Sequence, residues 1–340
     1  MEKTILTVIK GEKAEKIPIW LMRQAGRCLP SYRKLREKHD FLSLCLTPEL
    51  AAEVTLQPVD ILNVDAAIIF SDILIPAFAL GLEFNFYEGK GPVFKKPVRN
   101  SEDIERLSSY NLTDELFMTG EAIKIVKQKL SPDKAVIGFC ASPFTLSCYL
   151  IEGKGSKVFT KTKNFIHENP SQFEKLMEKN TSVLTNFLKI QAEAGADILQ
   201  IFDTWGGILS PADYRKFALP WLEKLISDFR ETFSQPLIYF IRSSGELFPL
   251  CKNLPVEVMS VDWTVSLLEA SALLENRFVL QGNLEPAVLL QSKEIIKKET
   301  CRIVEEGRKL KGHIFNLGHG ILPETPVENA RFLIELVHNL

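Results

Sequence analysis

A basic segment near the start of the chain carries residue types and spacing that suit the binding of an anion. Residues 21–36 contain five cations and no carboxylate. Pro18, Gly26 and Pro30 interrupt any long helix, so the sequence predicts a loop. The side chains that this loop would present are Arg23, Gln24, Arg27 and Arg36. Because a guanidinium can hold a carboxylate through two parallel hydrogen bonds, the segment favours a carboxylate or phosphate site. A basic surface loop or a nucleic-acid arm is the alternative.

Polar residues also follow the apolar runs of the sequence, and they are further candidates for chemistry. In chain order they are Arg23 and Arg27, Asp72, Ser142 and Tyr149, Asp203 and Thr204, Arg242 to Ser244, Asp262, Asn283, and His319. Each has an ordinary structural interpretation as well. Asp72 directly follows AAIIFS and suits a turn or cap, Tyr149 suits a core aromatic, and Thr204 suits a helix cap. His319 lies between two glycines, where a tight turn can carry an imidazole.

The elements that must position these residues are eight short β-rich apolar runs with helical stretches between them. The runs cover residues 17–20, 66–71, 135–140, 197–202, 237–241, 256–261, 278–281 and 314–317. Their continuous apolar character is typical of parallel strands covered on both faces. Apolar spacing predicts helices over 48–62, 171–194, 211–233, 265–275 and 293–310.

This alternation favours an α/β fold, a single-domain (β/α)8 TIM barrel over residues 1–340. The active site of such a barrel lies at the C-terminal ends of the strands. A doubly wound sheet with an appended domain fits the same alternation less economically.

Composition and charge exclude several classes of protein. The formal net charge of −2 argues against a general nucleic-acid binder. The six cysteines show no CxxC spacing, and the N-terminus lacks the apolar core of a signal peptide, so we expect a reduced cytoplasmic protein. Residues 66–86 have the length of a membrane span, but Asp72 and Pro76 interrupt them and favour a buried strand followed by a loop. Metal and dinucleotide motifs such as HExxH and GxGxxG do not occur, so neither a metal nor a nucleotide cofactor is expected.

Several motifs resemble those of the uroporphyrinogen decarboxylase family and occur in the same order. They are PIWLMRQAGRCLPSYR, AAIIFSDIL followed by GKGPVF, GFCASPFTLSCYLIEG, FDTWGG with FALPW, VDWTV, QGNLEP and NLGHG. The resemblance covers nearly the whole chain. It implies a cofactor-free (β/α)8 barrel of haem biosynthesis that is usually a homodimer. The implied reaction converts the four acetate arms of the tetrapyrrole uroporphyrinogen to methyls, giving coproporphyrinogen and carbon dioxide.

The resemblance also assigns roles to individual side chains. The implied substrate contacts are Arg23, Gln24, Ala25, Gly26 and Arg27 of the loop, together with Arg36, Asp72, Tyr149, Thr204 and His319. Asp72 becomes the central catalytic carboxylate, with Arg23 and Tyr149 as the other catalytic candidates. The chain departs from the family pattern at Ala141 and Ser260, where glycine is common, and at the loop of residues 242–244, where lysine and glycine are more usual. These departures concern local loop shape.

The residue types fit the implied chemistry. Arginines suit the carboxylate arms of the macrocycle, and its pyrrole N–H donors suit one acceptor such as Asp72. Protonating a pyrrole carbon creates a cationic ring that accepts the electrons of the departing carboxylate, and Asp72 would stabilise that charge. The candidate proton donors are Arg23, water or another group. Two alternatives stay open: a corrinoid-type methyltransferase, which needs a zinc site of His and Cys, and a non-catalytic tetrapyrrole carrier.

Overall fold

The protein is built around one curled sheet of parallel strands. The computed structural model describes residues 3–87, 89, 91–108, 112–243 and 245–340. Over these residues the chain forms β1 (Ala66–Ile68), β2 (Phe84–Tyr87), β3 (Gly91–Phe94), β4 (Ala135–Ala141), β5 (Ile198–Asp203), β6 (Leu237–Ile241), β7 (Val258–Ser260), β8 (Val279–Leu284) and β9 (His313–Leu317). Seven of them form one parallel sheet in the order β1-β4-β5-β6-β7-β8-β9. The remaining two, β2 and β3, pair as an antiparallel hairpin.

Every residue of the seven parallel strands is buried, which explains why these runs are apolar throughout instead of alternating. Residues in register point to the same side of the sheet, as Phe202 does with Phe240. The ring centroids of these two residues are 6.0 Å apart, and that of Phe139 on β4 lies 5.6 Å from Phe202. The aromatic rings therefore fill the inside of the curl near the C-terminal ends of β4, β5 and β6.

Helices fill most of the connections in the described part of the chain. They are α1 (Thr4–Ile9), α2 (Pro30–Arg36), α3 (Phe41–Leu46), α4 (Pro48–Leu62), α5 (Pro76–Ala79), α6 (Ser101–Glu105), α7 (Asp114–Lys129), α8 (Pro143–Glu152), α9 (Thr160–Glu168), α10 (Pro170–Glu193), α11 (Pro211–Asp213), α12 (Leu219–Arg230), α13 (Phe248–Cys251), α14 (Leu267–Leu273), α15 (Lys293–Gly307) and α16 (Val327–Asn339). The predicted helix over 48–62 coincides with α4. Those over 171–194, 265–275 and 293–310 correspond to α10, α14 and α15 with small differences at their ends.

The prediction of one continuous helix over 211–233 is wrong. A π-helical turn, Tyr214–Ala218, separates α11 from α12. Pro220 supplies the physical reason, because its nitrogen carries no hydrogen and cannot donate to the carbonyl of Lys216. A π-turn absorbs the missing bond by admitting one extra residue into the helix.

The first predicted run, residues 17–20, forms an isolated bridge and no named strand. Ile19 pairs with Phe315 of β9 in parallel orientation. The backbone N–H of Phe315 donates to the carbonyl of Pro18 at 2.9 Å, and that of Trp20 donates to Phe315 at 3.4 Å. On the other side, the N–H of Asp65, which precedes β1, donates to the Ile19 carbonyl at 2.8 Å. The other seven predicted runs are confirmed as strands of the sheet.

The hairpin of β2 and β3 was not expected from the sequence. Residues 66–86, whose apolar length mimics a membrane span, form β1, a turn, α5 and most of β2. The N–H of Phe94 donates to the Gly153 carbonyl at 2.8 Å, and Val93 bridges Lys154, so the hairpin packs beside the end of α8. Among the described residues, no helix is both long enough and apolar enough to cross a membrane.

Candidate active site

Buried polar groups hold the basic loop at the C-terminal end of the sheet, and Gln24 is central to them. Gln24 is fully buried; its Oε1 accepts the N–H of Leu21 at 2.9 Å and its Nε2 donates to the Ala66 carbonyl at 2.8 Å. The N–H of Met22 donates to Asn316 Oδ1 at 2.9 Å. These bonds tie the loop to β1 and β9. Gln24 therefore positions the loop, and its expected contact with substrate stays a prediction.

Arg23 lies in this loop, and its backbone has a conformation that non-glycine residues rarely adopt. Its φ of 62° falls in the left-handed region, which costs a non-glycine residue about 1 kcal/mol or more. The side chain passes over Gly320, where an added Cβ would come within 2.3 Å of Arg23 Cδ. Burial is the main cause of the shifted pKa values of Asp72, Tyr149 and His319, and the Arg23 charge adds a lowering to each. These three side chains therefore lie around the Arg23 guanidinium.

Asp72 follows β1 and has one carboxylate oxygen committed to the backbone. Its Oδ1 accepts the N–H of Leu74 at 2.8 Å, which is the turn predicted as its ordinary structural role. No residue in the described ranges donates a hydrogen bond to Oδ2. Burial raises the pKa of the carboxyl to about 6, although the Leu74 N–H and the Arg23 charge oppose the rise. Asp72 is therefore a turn residue that also offers a free acceptor oxygen.

Tyr149 and Thr204 come from neighbouring elements, and Tyr149 contacts Trp205, the residue that follows Thr204. Tyr149 is on α8, and its ring packs edge-on against Trp205, with centroids 6.1 Å apart. Burial raises the pKa of the Tyr149 phenol to about 12, so it stays protonated and can donate. Thr204 follows β5 directly and is half-buried. On its other side, Trp205 packs against Phe159 at 4.6 Å.

Asp203, the last residue of β5, accepts hydrogen bonds from three hydroxyl groups of neighbouring elements. It is 1% exposed; its Oδ1 accepts the hydroxyls of Ser142 at 2.6 Å and Thr145 at 2.8 Å. Its Oδ2 accepts the hydroxyl of Tyr239 at 2.8 Å. Burial raises the pKa of Asp203, against these three hydroxyl donors. Thr145 in turn accepts the N–H of Trp205 at 3.1 Å, so Asp203 fixes the start of α8 against the end of β5.

His319 lies in the turn after β9 and presents a neutral imidazole. Burial lowers its pKa to about 3, and the nearby charges of Arg23 and Arg242 lower it further. The ring packs edge-on against Phe240 of β6, with centroids 6.0 Å apart. Because a neutral imidazole has one donor and one acceptor nitrogen, His319 can serve either purpose toward a ligand.

The remaining predicted contact residues in and beside the loop differ in their exposure and in their hydrogen bonds. Arg27 is exposed, and Ala25 and Gly26 are partly exposed. Arg36 ends α2 and donates to the His39 carbonyl at 2.6 Å. Burial raises the pKa of the Cys45 thiol, and the charges of both Asp72 and Arg36 act on it, so Asp72 and Arg36 each lie near Cys45.

Other polar residues at the strand ends are occupied by structural contacts. Asp262 accepts the N–H of Ser243 at 2.5 Å and that of Thr264 at 2.9 Å. Asn283 donates to the carbonyls of Asp262 and Val265 at 3.1 and 2.7 Å. Ser244 lies outside the described residues. Within those residues, no three His, Cys, Asp or Glu side chains converge as a metal site would require.

Sequence reasoning missed the parts played by Trp205 and Gly320. Trp205 stands next to the predicted Thr204, and a bulky aromatic directly after a strand was the available signal. Gly320 belongs to the NLGHG motif, in which no local pattern indicates its contact with Arg23. Of the departures from the family pattern, Ser260 is buried at the end of β7, where its Oγ accepts Gln281 Nε2 at 3.0 Å. Ala141 ends β4 and is fully buried.

A family model and full-length sequence relatives agree on one family. The family model described as uroporphyrinogen decarboxylase (URO-D) matches residues 1–340. The chain is similar to the uroporphyrinogen decarboxylase of Syntrophotalea carbinolica, with 48% identity over 97% of this chain and 95% of that one. It is 46% identical to that of Geobacter sulfurreducens, over 100% and 99% of the two chains.

Among solved structures, a methyltransferase from Methanosarcina mazei superposes with a TM-score of 0.80, covering 99% of this chain and 97% of the other. A B12-independent methionine synthase from a Shewanella species gives a TM-score of 0.56, covering 95% and 96%. At 21% and 12% identity these likenesses concern the fold alone. The full-length family match and the two close relatives carry the assignment, and the chain belongs to the uroporphyrinogen decarboxylase family.

Proposed function

We propose that this protein converts the four acetate arms of uroporphyrinogen to methyl groups, releasing coproporphyrinogen and carbon dioxide without a cofactor. The observation that carries the proposal is the half-buried Asp72 carboxylate, which has one oxygen without a donor among the described residues and lies near Arg23 at the C-terminal end of the sheet. A single acceptor surrounded by cationic and donor side chains suits a ring of pyrrole N–H groups with carboxylate arms.

The arginines bind and orient the substrate. Arg27 is exposed, and Arg36 ends α2 with its charge near Cys45, on which the Asp72 charge also acts. Both hold carboxylate arms, while Arg23 holds the arm nearest the reacting ring. The protonated Tyr149 hydroxyl and the neutral His319 imidazole add hydrogen bonds to the arms without adding charge. The phenyl rings beneath, among them Phe202 and Phe240, support the apolar macrocycle.

The reaction uses the substrate's own ring as the electron sink. A proton adds to a pyrrole carbon, and the ring becomes cationic. The bond between the arm's methylene carbon and its carboxylate then breaks; the electron pair neutralises the ring, and carbon dioxide leaves. The methylene carbon gains a proton and the ring carbon gives one back, so one proton is consumed for each carbon dioxide. Asp72 accepts the pyrrole N–H and stabilises the cationic state. In the case of opposite sign, one well-placed donor of an oxyanion hole contributes about 10²- to 10³-fold in rate.

The finer features of the architecture are also proposals. The bridge of Ile19 to β9 and its bond from Asp65 support residues 17–20 as an eighth strand that closes the sheet into a (β/α)8 barrel of one domain, residues 1–340. The family resemblance supports a cytoplasmic homodimer. Sedimentation equilibrium of the purified protein measures the subunit number, and a monomer at micromolar concentration would contradict the dimer.

The activity is tested by anaerobic incubation of the purified, chelator-treated protein with uroporphyrinogen. Counting carboxylates on the oxidised products should reveal seven-, six- and five-carboxylate intermediates and then the four-carboxylate product, with one carbon dioxide per lost group. Tight binding with no release of carbon dioxide would identify a carrier. A strict need for an added metal or organic cofactor would refute cofactor-free turnover.

A further inference from the structure

Arg242 is a half-buried arginine at the same end of the sheet as the basic loop. It follows β6 directly. Within the described part of the chain, no carboxylate forms an ion pair with its guanidinium. A partly buried, unpaired guanidinium is unfavourable because it gives up hydration without gaining an anion. Such a group is expected to be retained where a ligand supplies the anion.

The position of Arg242 is on the wall opposite the basic loop. β6 is the central strand of the seven, whereas Arg23 follows the segment that lies beside β9 and β1. Phe240, two residues earlier on the same strand, points into the curl and packs on His319. Arg242 directly follows the strand, so continuing the alternation of β6 by one residue would place its side chain on that inner side. The charges of Arg242 and Arg23 both lower the pKa of His319, so both guanidinium groups lie near that ring.

The backbone around Arg242 is held firmly. The next residue, Ser243, has a φ of 55° and donates its N–H to Asp262 Oδ2 at 2.5 Å. A Cβ added to Gly207 would come within 2.0 Å of the Arg242 carbonyl oxygen, so the two backbones are packed against each other. Gly207 follows closely after Thr204 and Trp205. The buried Asp262 carboxylate holds Ser243 in its left-handed conformation, so the backbone beside Arg242 is fixed in place.

We propose that Arg242 binds a carboxylate arm of the substrate, on the side of the macrocycle remote from Arg23 and Arg27. The inference rests on the proposed function, because that substrate carries eight carboxylates distributed around its whole rim. The basic loop reaches the arms on one side, and Arg242 supplies a guanidinium fork to an arm on the other. The arm is either a propionate, which survives in the product, or an acetate, which is lost.

The test compares Arg242→Gln and Arg242→Lys with the unaltered protein. Arg308→Gln is the matched control, because Arg308 is exposed, follows α15 and donates to the terminal Leu340 carbonyl, away from the site. Equilibrium binding of uroporphyrinogen is measured anaerobically alongside KM and kcat. We expect Arg242→Gln to weaken Kd and raise KM about 10- to 100-fold with a much smaller change in kcat. Arg242→Lys should fall in between, and Arg308→Gln should match the unaltered protein.

Binding of coproporphyrinogen to the same variants distinguishes the two arms. A parallel loss of coproporphyrinogen affinity identifies a propionate, and an unchanged affinity identifies an acetate. Unchanged Kd and KM in Arg242→Gln would overturn the inference, as would an equal fall of kcat and thermal stability without a change in Kd. The proposed function fails separately, when the unaltered protein releases no carbon dioxide. The binding measurement still decides the role of Arg242 in that case.

Discussion

Replacing Asp72 by asparagine should make the folded protein more stable at neutral pH while removing most of its activity. The reason is that burial raises the pKa of Asp72 from 3.8 to about 6. A rise of about two units means that the folded state disfavours the ionised carboxylate by about 3 kcal/mol. Asparagine carries no charge and keeps a carbonyl that can accept the Leu74 N–H, so the variant escapes this cost and preserves the turn.

The stability gained by Asp72→Asn should depend on pH. Well below about pH 4 the Asp72 carboxyl is protonated in both the folded and the unfolded state, so the variant gains no stability. The difference grows between about pH 4 and 6 and is constant above, where the unaltered protein carries the full cost. An unfolding entropy of about 2.1 cal/mol/K per residue gives about 0.7 kcal/mol/K for this chain, so Tm at pH 7.5 should rise by up to about 4 °C. Differential scanning calorimetry from pH 4.5 to 8 measures it.

Activity should change in the opposite direction. If the ionised carboxylate stabilises a cationic ring, kcat should fall about 100-fold or more, with a smaller change in the Kd for uroporphyrinogen. Asp40→Asn is the control, because Asp40 also accepts a backbone N–H, from Ser43 at 2.8 Å, but its pKa is lowered. That variant should gain no stability at neutral pH. A destabilised Asp72→Asn with near-normal kcat would refute the reasoning and leave Asp72 as a turn residue only.

Three further predictions concern single side chains. Arg27→Lys keeps the charge but loses the fork, so KM should rise about tenfold with little change in kcat; unchanged kinetics would argue against a carboxylate contact. His319 is neutral above about pH 3, so the pH–rate profile of His319→Gln between pH 5 and 8 should keep the shape of the unaltered protein's, and a lost limb near pH 6.5 would contradict this. Asp65 accepts the N–H of Ile19 at 2.8 Å, Lys16 at 2.6 Å and His338 at 2.8 Å, so Asp65→Ala should lower the free energy of unfolding by about 3 kcal/mol or more in urea titrations. A loss below 1 kcal/mol would show that these bonds contribute little.

The strands could be predicted because each run carries its own signal. A strand buried on both faces must be apolar over its whole length, so β4 to β9 are visible in local sequence. The helix α4 is visible for a similar reason, since its buried face repeats every three to four residues. The π-turn before α12 had a local signal in Pro220, and the hairpin of β2 and β3 had one in two short β-rich runs separated by three residues that include Gly89. Its position beside the end of α8 was decided by tertiary contacts.

The grouping of the candidate residues followed from the same logic. Strands that run parallel end at one edge of the sheet, so the residues after them must be neighbours. Arg23, Asp72, Tyr149 and His319 were predicted to be close for this reason, and their electrostatic coupling through Arg23 agrees. Residue type and strand position were sufficient to predict that these four side chains lie close together.

Which of these side chains are free to meet a ligand was decided by the tertiary structure alone. Gln24 and Arg23 are adjacent in the sequence, yet Gln24 is fully buried between backbone groups and Arg23 extends over Gly320, a residue 297 positions further along the chain. The partial burial of Asp72, and with it a pKa of about 6, arises from elements that no local pattern reveals. Local sequence encodes periodicity and residue chemistry, whereas exposure, hydrogen-bond partners and pKa depend on what distant segments bring into contact.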